Sequence, residues 1–157
     1  MKYAWDESIE IGHPEIDAQH RQLFAAFNEF MGACEEGKGH SEIANTMEFL
    51  GEYVIRHFTD EERVQQENHY PDYYKHKRYH DEFKIMIISL KSDFKLEGPT
   101  AEVISRIQSS IGDWLVNHIK IEDMKIGEYL RAREKFQKEI QERRASENET
   151  RQVLTPG

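Results

Sequence analysis

The chain has 157 residues, of which 32% are charged, and its formal net charge at pH 7 is −9. This length favours one domain with a sizeable core, and the excess of negative charge argues against non-specific binding of nucleic acid. The sequence shows no run of about eighteen apolar residues, no secretory signal and only one cysteine, Cys34, so we expect a cytoplasmic protein without membrane insertion.

An N-terminal arm and a first helix open the chain. Residues 1–12 show no helical period, and Pro14 suits the first turn of a helix. Steps of four and three then separate the residues of one stripe, which are Ile16, His20, Leu23, Phe27 and Phe30. This spacing predicts an amphipathic helix to about residue 36, with His20 on its inner face near the start.

The second predicted helix carries a carboxylate where an apolar residue is expected. Ser41 is a candidate N-cap, and the helix is predicted to end at about Asn68. Its inner stripe consists of Ile43, Met47, Leu50, Val54, His57, Glu61 and Val64. Because an ionised carboxylate is costly in a dry interior, Glu61 requires a buried partner or a metal ion.

Two further helices repeat this arrangement. The third has a regular stripe of Tyr73, His76, His80, Phe83, Ile87, Leu90 and Phe94. Gly98 and Pro99 then break the chain, and the fourth helix presents Ile104, Ile107, Ile111, Trp114 and His118 on its predicted inner face. The histidines lie near the start of the third helix and near the end of the fourth.

The composition changes after Leu130, where charged residues dominate. We expect two parts along the chain, a helical bundle over 1–130 and a charged helical tail or linker over 131–157. The tail helix is expected to fray by about Ser146. Two interpretations of the tail stay open. It is either a disordered or crystal-ordered tail, or a connector to an output domain or signalling partner.

Four amphipathic helices joined by short loops predict an all-α fold, an antiparallel up-down-up-down four-helix bundle with an N-terminal arm and a charged C-terminal helical extension. In this topology the polar inner residues meet at one end of the bundle. They are His20, His57, Glu61, His76, His80 and His118. The other end is predicted to be an apolar core built from Phe27, Phe30, Met47, Leu50, Ile87, Leu90, Ile104 and Ile107.

The polar end has the composition of a metal site. Imidazole suits iron, zinc, copper and nickel, and five histidines with a carboxylate exceed the four ligands of a structural zinc ion. Two metals with bridging carboxylates fit this count. Spacing alone favours Glu122, four residues after His118, as a second bridge, because Asp123 would point roughly 140° away on an ideal helix.

The motifs HPEIDAQH, HFTDEE, HKRYH and WLVNHIKIED, with Trp5 before them, resemble those of the hemerythrins, and specifically of the bacterial hemerythrin-like proteins. The resemblance covers about residues 1–130. It implies two non-haem iron ions with an oxo or hydroxo bridge, and it favours Asp123 over Glu122, which would require a local distortion such as a π-bulge. The implied metal ligands are His76, His80 and His118 on one iron, His20 and His57 on the other, and Glu61 and Asp123 as bridges.

The same resemblance implies reversible binding of dioxygen at an open position on one iron, for oxygen carriage, storage or sensing. By the motif match, the apolar walls of the oxygen pocket are Trp114, Leu115 and Ile119. A di-iron redox enzyme that reduces peroxide or nitric oxide, or oxidises ferrous iron, is the alternative, and a structural bundle with adventitious zinc is a third possibility. For Asp17, Gln19 and Glu62 we prefer solvated surface positions over a role in orienting the imidazoles.

Overall fold

The computed structural model describes the backbone of residues 3–154 and the side chains of residues 3–150. Three helices, α1 (Pro14–Glu35), α2 (His40–Glu67) and α3 (Tyr73–Glu97), precede a long fourth helix. No strand occurs in the described part of the chain. These features confirm the predicted all-α four-helix bundle. Within the same residues, no helix combines the length and the apolar character needed to cross a bilayer.

The helix starts follow simple capping chemistry, with one correction. Pro14 lies in the first turn of α1, as predicted. The predicted N-cap Ser41 is wrong, because α2 begins at His40, and its N-cap is Gly39, two residues earlier than predicted. The carbonyl oxygen of Gly39 accepts from the backbone N–H groups of Glu42 at 2.9 Å and Ile43 at 3.1 Å, so the backbone itself closes this first turn.

The fourth helix alternates between two helical geometries. Its segments are α4 (Ala101–Ile107), a π-helix (Gln108–Asp113), α5 (Trp114–His118), a second π-helix (Ile119–Asp123) and α6 (Met124–Leu154). A π-turn has one residue more than an α-turn, and therefore rotates the later side chains relative to the α-helical pattern.

This rotation changes which residues of the fourth helix face the core. The buried side chains are Val103, Ile107, Ile111, Leu115 and Ile119. Their constant step of four is wider than the 3.6-residue period of an α-helix. Ile104 and Trp114, which the α-helical period placed inside, are therefore only partly buried. The remaining predicted core residues at the far end of the bundle are all buried.

The N-terminal arm packs against the bundle through Tyr3 and Ile9 and includes a short 3-10 helix at Glu7–Ile9. Both oxygens of the buried Asp17 carboxylate hold the arm, accepting from the N–H groups of Ile11 at 2.8 Å and Gly12 at 3.0 Å. Gly12 has a φ of +85°, a conformation that glycine adopts without steric cost. The arm therefore ends in a tight turn just before α1 begins at Pro14.

The fourth helix continues well past the bundle. It remains helical to Leu154, so the prediction that it frays by about Ser146 is wrong. The described side chains from residue 131 onward are exposed, except for the half-buried Arg133 and Ile140. Arg131 and Arg133 still contact the bundle, through the carbonyl oxygen of Ile11 and the side chain of Asn68.

Candidate metal centre

Seven side chains from all four helices meet at one end of the bundle, and each is at most 6% exposed. They form two groups that share Asp123, and within each group one ligand-type atom per residue lies within 4.8 Å of the others. The first group is His76, His80, His118 and Asp123, and the second is His20, His57, Glu61 and Asp123. The structure thus brings together every residue that the motifs singled out.

In the first group, three imidazoles point the same atom at a common centre. The Nε2 atom of His118 lies 3.2 Å from the Nε2 atom of His80 and 3.2 Å from that of His76. Asp123 completes this group, with its Oδ1 atom 3.0 Å from Nε2 of His118 and 3.3 Å from Nε2 of His76. Three converging ring nitrogens and a carboxylate oxygen make up a donor set for one transition metal.

The second group is built from the start of α1 and the end of α2. His20 and His57 lie on these helices with their ring centroids 4.7 Å apart. The Nε2 atom of His20 is 3.1 Å from Oδ2 of Asp123, and the Nε2 atom of His57 is 3.4 Å from Oε2 of Glu61. This group has one imidazole fewer than the first.

Both carboxylates span the two groups. Glu61 directs Oε2 toward His57, while its Oε1 lies 2.7 Å from Nε2 of His76. Asp123 directs Oδ2 toward His20 and Oδ1 toward His118. Each carboxylate thus presents one oxygen to each group, which is the arrangement that two bridging ligands between two metal ions require.

The π-helix over Ile119–Asp123 resolves the choice between Glu122 and Asp123. Because His118 and Asp123 are five positions apart, a π-turn brings them onto the same side of the helix. Asp123 is fully buried, whereas Glu122 is partly exposed and its carboxylate accepts from Lys125 at 2.8 Å. The choice of Glu122 from α-helical spacing is therefore wrong, and the local distortion that the resemblance required is present.

The polar atoms of the cluster are not satisfied by the protein itself. Among the described residues, no hydrogen-bond partner exists for either ring nitrogen of His20, for His57 Nε2, for Glu61 Oε2 or for either oxygen of Asp123. Buried polar atoms without partners are costly and rare. Metal ions coordinated by these atoms would remove that cost, so the residues present fit a pair of bound cations.

The electrostatics of the metal-free cluster point the same way. Burial would raise the pKa of both carboxyls, but the surrounding imidazoles hold the pKa of Glu61 at about 2 and that of Asp123 well below its ordinary value. Burial would lower the pKa of His76, but its contacts with Asp123 and Glu61 raise it to about 10. Burial and the neighbouring His20 lower the pKa of His57 to about 3. The two carboxylates therefore attract positive charge.

Two of the imidazoles are oriented by hydrogen bonds to Nδ1, the ring nitrogen that faces away from the cluster. The Nδ1 atom of His57 lies 3.0 Å from Oε1 of Gln19, and the Nδ1 atom of His80 lies 3.0 Å from Oε1 of Glu62. Gln19 and Glu62 are thus not the solvated surface residues that we preferred from the sequence. Asp17 is buried as well, but it holds the N-terminal arm instead of an imidazole.

Sequence reasoning missed a further polar residue, Gln65. Its side chain is fully buried, and its Nε2 group donates to Oε1 of Glu61 at 2.7 Å. Its position, four residues after Glu61, was the available signal, because residues four apart lie on the same helix face. A buried amide at that position supports a carboxylate one turn earlier.

Apolar and aromatic side chains surround the cluster. Phe58 stacks on His80 with centroids 3.8 Å apart, and Trp114 stacks on His118 at 4.3 Å. Leu115 and Ile119, the other two predicted pocket walls, are buried in the same apolar core. Trp114 also lines a surface cavity of about 340 Å³ that reaches His118. The chain's other three histidines, His13, His40 and His69, belong to neither group.

Comparisons with known proteins agree with this geometry. The family model described as the Hemerythrin HHE cation binding domain matches residues 12–130. Myohemerythrin from Sipunculus nudus is 32% identical over 123 residues, covering 78% of this chain and 89% of the relative. Bacteriohemerythrin from Methylococcus capsulatus is 34% identical over 116 residues, covering 74% and 86%.

A solved structure gives the same result for the fold. The crystal structure of wild-type hemerythrin matches with a TM-score of 0.71 and 28% identity, covering 81% of this chain and 96% of that chain. The family match spans all seven cluster residues, and they lie in two metal-type groups joined by two carboxylates. This chain belongs to the hemerythrin family.

Proposed function

We propose that this protein binds dioxygen reversibly at a pair of non-haem iron ions, with His76, His80 and His118 on one ion, His20 and His57 on the other, and Glu61 and Asp123 bridging them. One observation carries the proposal. Two buried histidine groups are linked by two carboxylates, each of which presents one oxygen to each group. Membership of the hemerythrin family supplies the di-iron cofactor and the oxygen-binding function.

The unequal number of imidazoles supports a site that binds a small molecule. Three histidines face one side of the cluster and two face the other, so the second metal position has fewer protein ligands and room for an exogenous one. When bound, the iron pair supplies the reversible redox chemistry that dioxygen uptake requires. A donor set dominated by neutral imidazole carries less negative charge than a carboxylate-rich one, and this favours binding over oxidation of a substrate.

The chain's own residues hold the ligands in place and keep water away. Gln65 donates to Glu61, while the amide of Gln19 accepts from His57, so the ligand atoms point inward before any metal binds. Phe58 covers one face of His80. We propose Trp114, Leu115 and Ile119 as the apolar walls over the oxygen position, since a dry pocket protects a polar bound species from displacement by water.

The physiological use of the bound oxygen is carriage, storage or sensing. The charged helix beyond the bundle supports a sensing role, because α6 directly follows the π-segment that ends in Asp123. A change at the cluster would therefore act on the start of this helix. We propose residues 131–157 as a separate tail or linker that connects the bundle, residues 1–130, to an output domain or signalling partner.

The visible spectrum of the reduced, iron-loaded protein tests the proposed function. Spectra are recorded without oxygen, after addition of oxygen and after purging with argon. We expect an absorption band that appears with oxygen and disappears on purging. A band that persists after purging would indicate oxidation of the iron pair and would favour a redox enzyme. Absence of any band with iron bound would contradict oxygen binding.

A further inference from the structure

Two imidazoles of the cluster are hydrogen-bonded through Nδ1, on the side away from the cluster, and the two acceptors differ in charge. His57, in the two-histidine group, faces the neutral side-chain amide of Gln19, whereas His80, in the three-histidine group, faces the carboxylate of Glu62. Both distances are 3.0 Å, so the geometry is matched and the acceptor is the main difference.

The orientation of Gln19 follows from a second contact. Its Nε2 group donates to Oδ2 of Asp60 at 2.7 Å, which leaves its Oε1 atom as an acceptor for the Nδ1–H group of His57. A carboxylate can only accept, so Glu62 likewise requires a proton on Nδ1 of His80. In both imidazoles Nε2 is then unprotonated and faces the cluster, as a metal ligand must.

Glu62 lies in a partly enclosed basic environment. Its side chain is 13% exposed, and its carboxylate lies 3.5 Å from Nζ of Lys84 and 3.9 Å from Nζ of Lys77. Lys84 also sits 5.8 Å from the centre of the Phe58 ring, which stacks on His80. These neighbours hold the carboxylate against the imidazole and limit the access of water, which would otherwise screen its charge.

We propose that Glu62 is a positioning residue that makes the two metal positions electronically unequal, by giving His80 an anionic hydrogen-bond partner where His57 has a neutral one. This inference rests on the proposed function. A carboxylate behind a ligating imidazole makes that imidazole a stronger donor. The metal in the three-histidine group is therefore held more tightly and is more easily kept in the ferric state.

The test compares E62Q with E82Q. Both variants replace one glutamate by its neutral isostere, but Glu82 is exposed, lies outside the cluster and forms an ion pair with Arg78 across 3.8 Å. Ferrous ion is titrated anaerobically against a coloured chelator, and the midpoint potential of the loaded protein is measured. We expect one of the two iron affinities of E62Q to fall about 10- to 100-fold and its midpoint potential to rise, while E82Q matches the wild type.

A second variant reverses the asymmetry. The double variant Q19E/D60N places a carboxylate opposite His57. Since a carboxylate at position 19 cannot donate to Asp60, the second substitution replaces that acceptor by an amide that can donate to the new carboxylate. We expect tighter binding at the two-histidine position and a lower midpoint potential. Far-UV circular dichroism confirms that each variant is folded.

The outcomes separate the two proposals. A wild-type protein that binds no iron pair would overturn the proposed function, and this inference with it. A wild-type protein that binds two irons, with E62Q and the double variant unchanged in both affinity and potential, would overturn this inference alone. Opposite shifts of the potential in the two variants support it, because a merely structural role of Glu62 would not produce them.

Discussion

The contact between the N-terminal arm and α6 makes Gly127 a sensitive position. A Cβ atom on Gly127 would lie 2.4 Å from the carbonyl oxygen of Ile11 and 2.8 Å from its Cα atom. Ordinary contact begins at 3.4 Å, so the Gly127→Ala variant must move the arm backbone by about 1 Å. That oxygen also accepts from Arg131 at 3.0 Å, and Asp17 holds the neighbouring N–H groups. The arm therefore cannot move without straining several hydrogen bonds.

The expected loss of stability follows from these contacts. Overpacking of this kind costs about 1–3 kcal/mol, and a weakened hydrogen bond from Arg131 adds about 1 kcal/mol. The higher helix propensity of alanine offsets about 1 kcal/mol. We therefore expect Gly127→Ala to lower the free energy of unfolding by about 1–3 kcal/mol.

Gly32→Ala is the matched control, because Gly32 is also helical and its Cβ would meet nothing within 4 Å in the described part of the chain. This variant should gain about 0.5–1 kcal/mol. The assay is urea unfolding of the metal-free protein followed by far-UV circular dichroism, with an unchanged slope as the sign that both variants unfold similarly. If Gly127→Ala were as stable as Gly32→Ala, the close packing of the arm on α6 would be refuted.

Three other predictions concern the cluster and the tail. Asp123→Asn should reduce the bound iron from two ions per chain to one or none, while Glu122→Gln keeps two; the reverse result, by iron analysis, would restore the α-helical spacing argument. The metal-free protein should be most stable near pH 6.5. As the pH falls below about 6.5, the unfolded chain binds a proton at His57 that the fold resists, because the pKa of His57 is lowered to about 3 in the fold. As the pH rises from about 6.5 toward 10, the fold loses the stabilising proton of His76, whose pKa is raised to about 10. Urea midpoints that change in one direction only from pH 4 to 10 would contradict this. Deletion of 135–157 should leave iron content unchanged and stability within about 0.5 kcal/mol, and a loss of bound iron would show that the tail supports the bundle.

The errors of sequence reasoning have identifiable causes. Ile104 was placed inside because an α-helical period was assumed through the fourth helix, whereas two π-segments shift the buried residues to steps of four. Gln19 and Glu62 look like surface residues along the sequence. Their contacts with His57 and His80 come from different helices, and a local pattern contains no information about such pairs.

The sequence by itself determined the four amphipathic helices and the convergence of their histidines, because apolar periodicity and short loops allow few arrangements of a bundle. The motif resemblance added Asp123 to that set. Only the tertiary structure decided how Asp123 reaches the cluster, since the extra residue of a π-turn depends on packing around the whole helix. It also decided which residues support the ligands, because Gln19 and Glu62 contact His57 and His80 across helices, where distance in space and not spacing along the chain sets each contact.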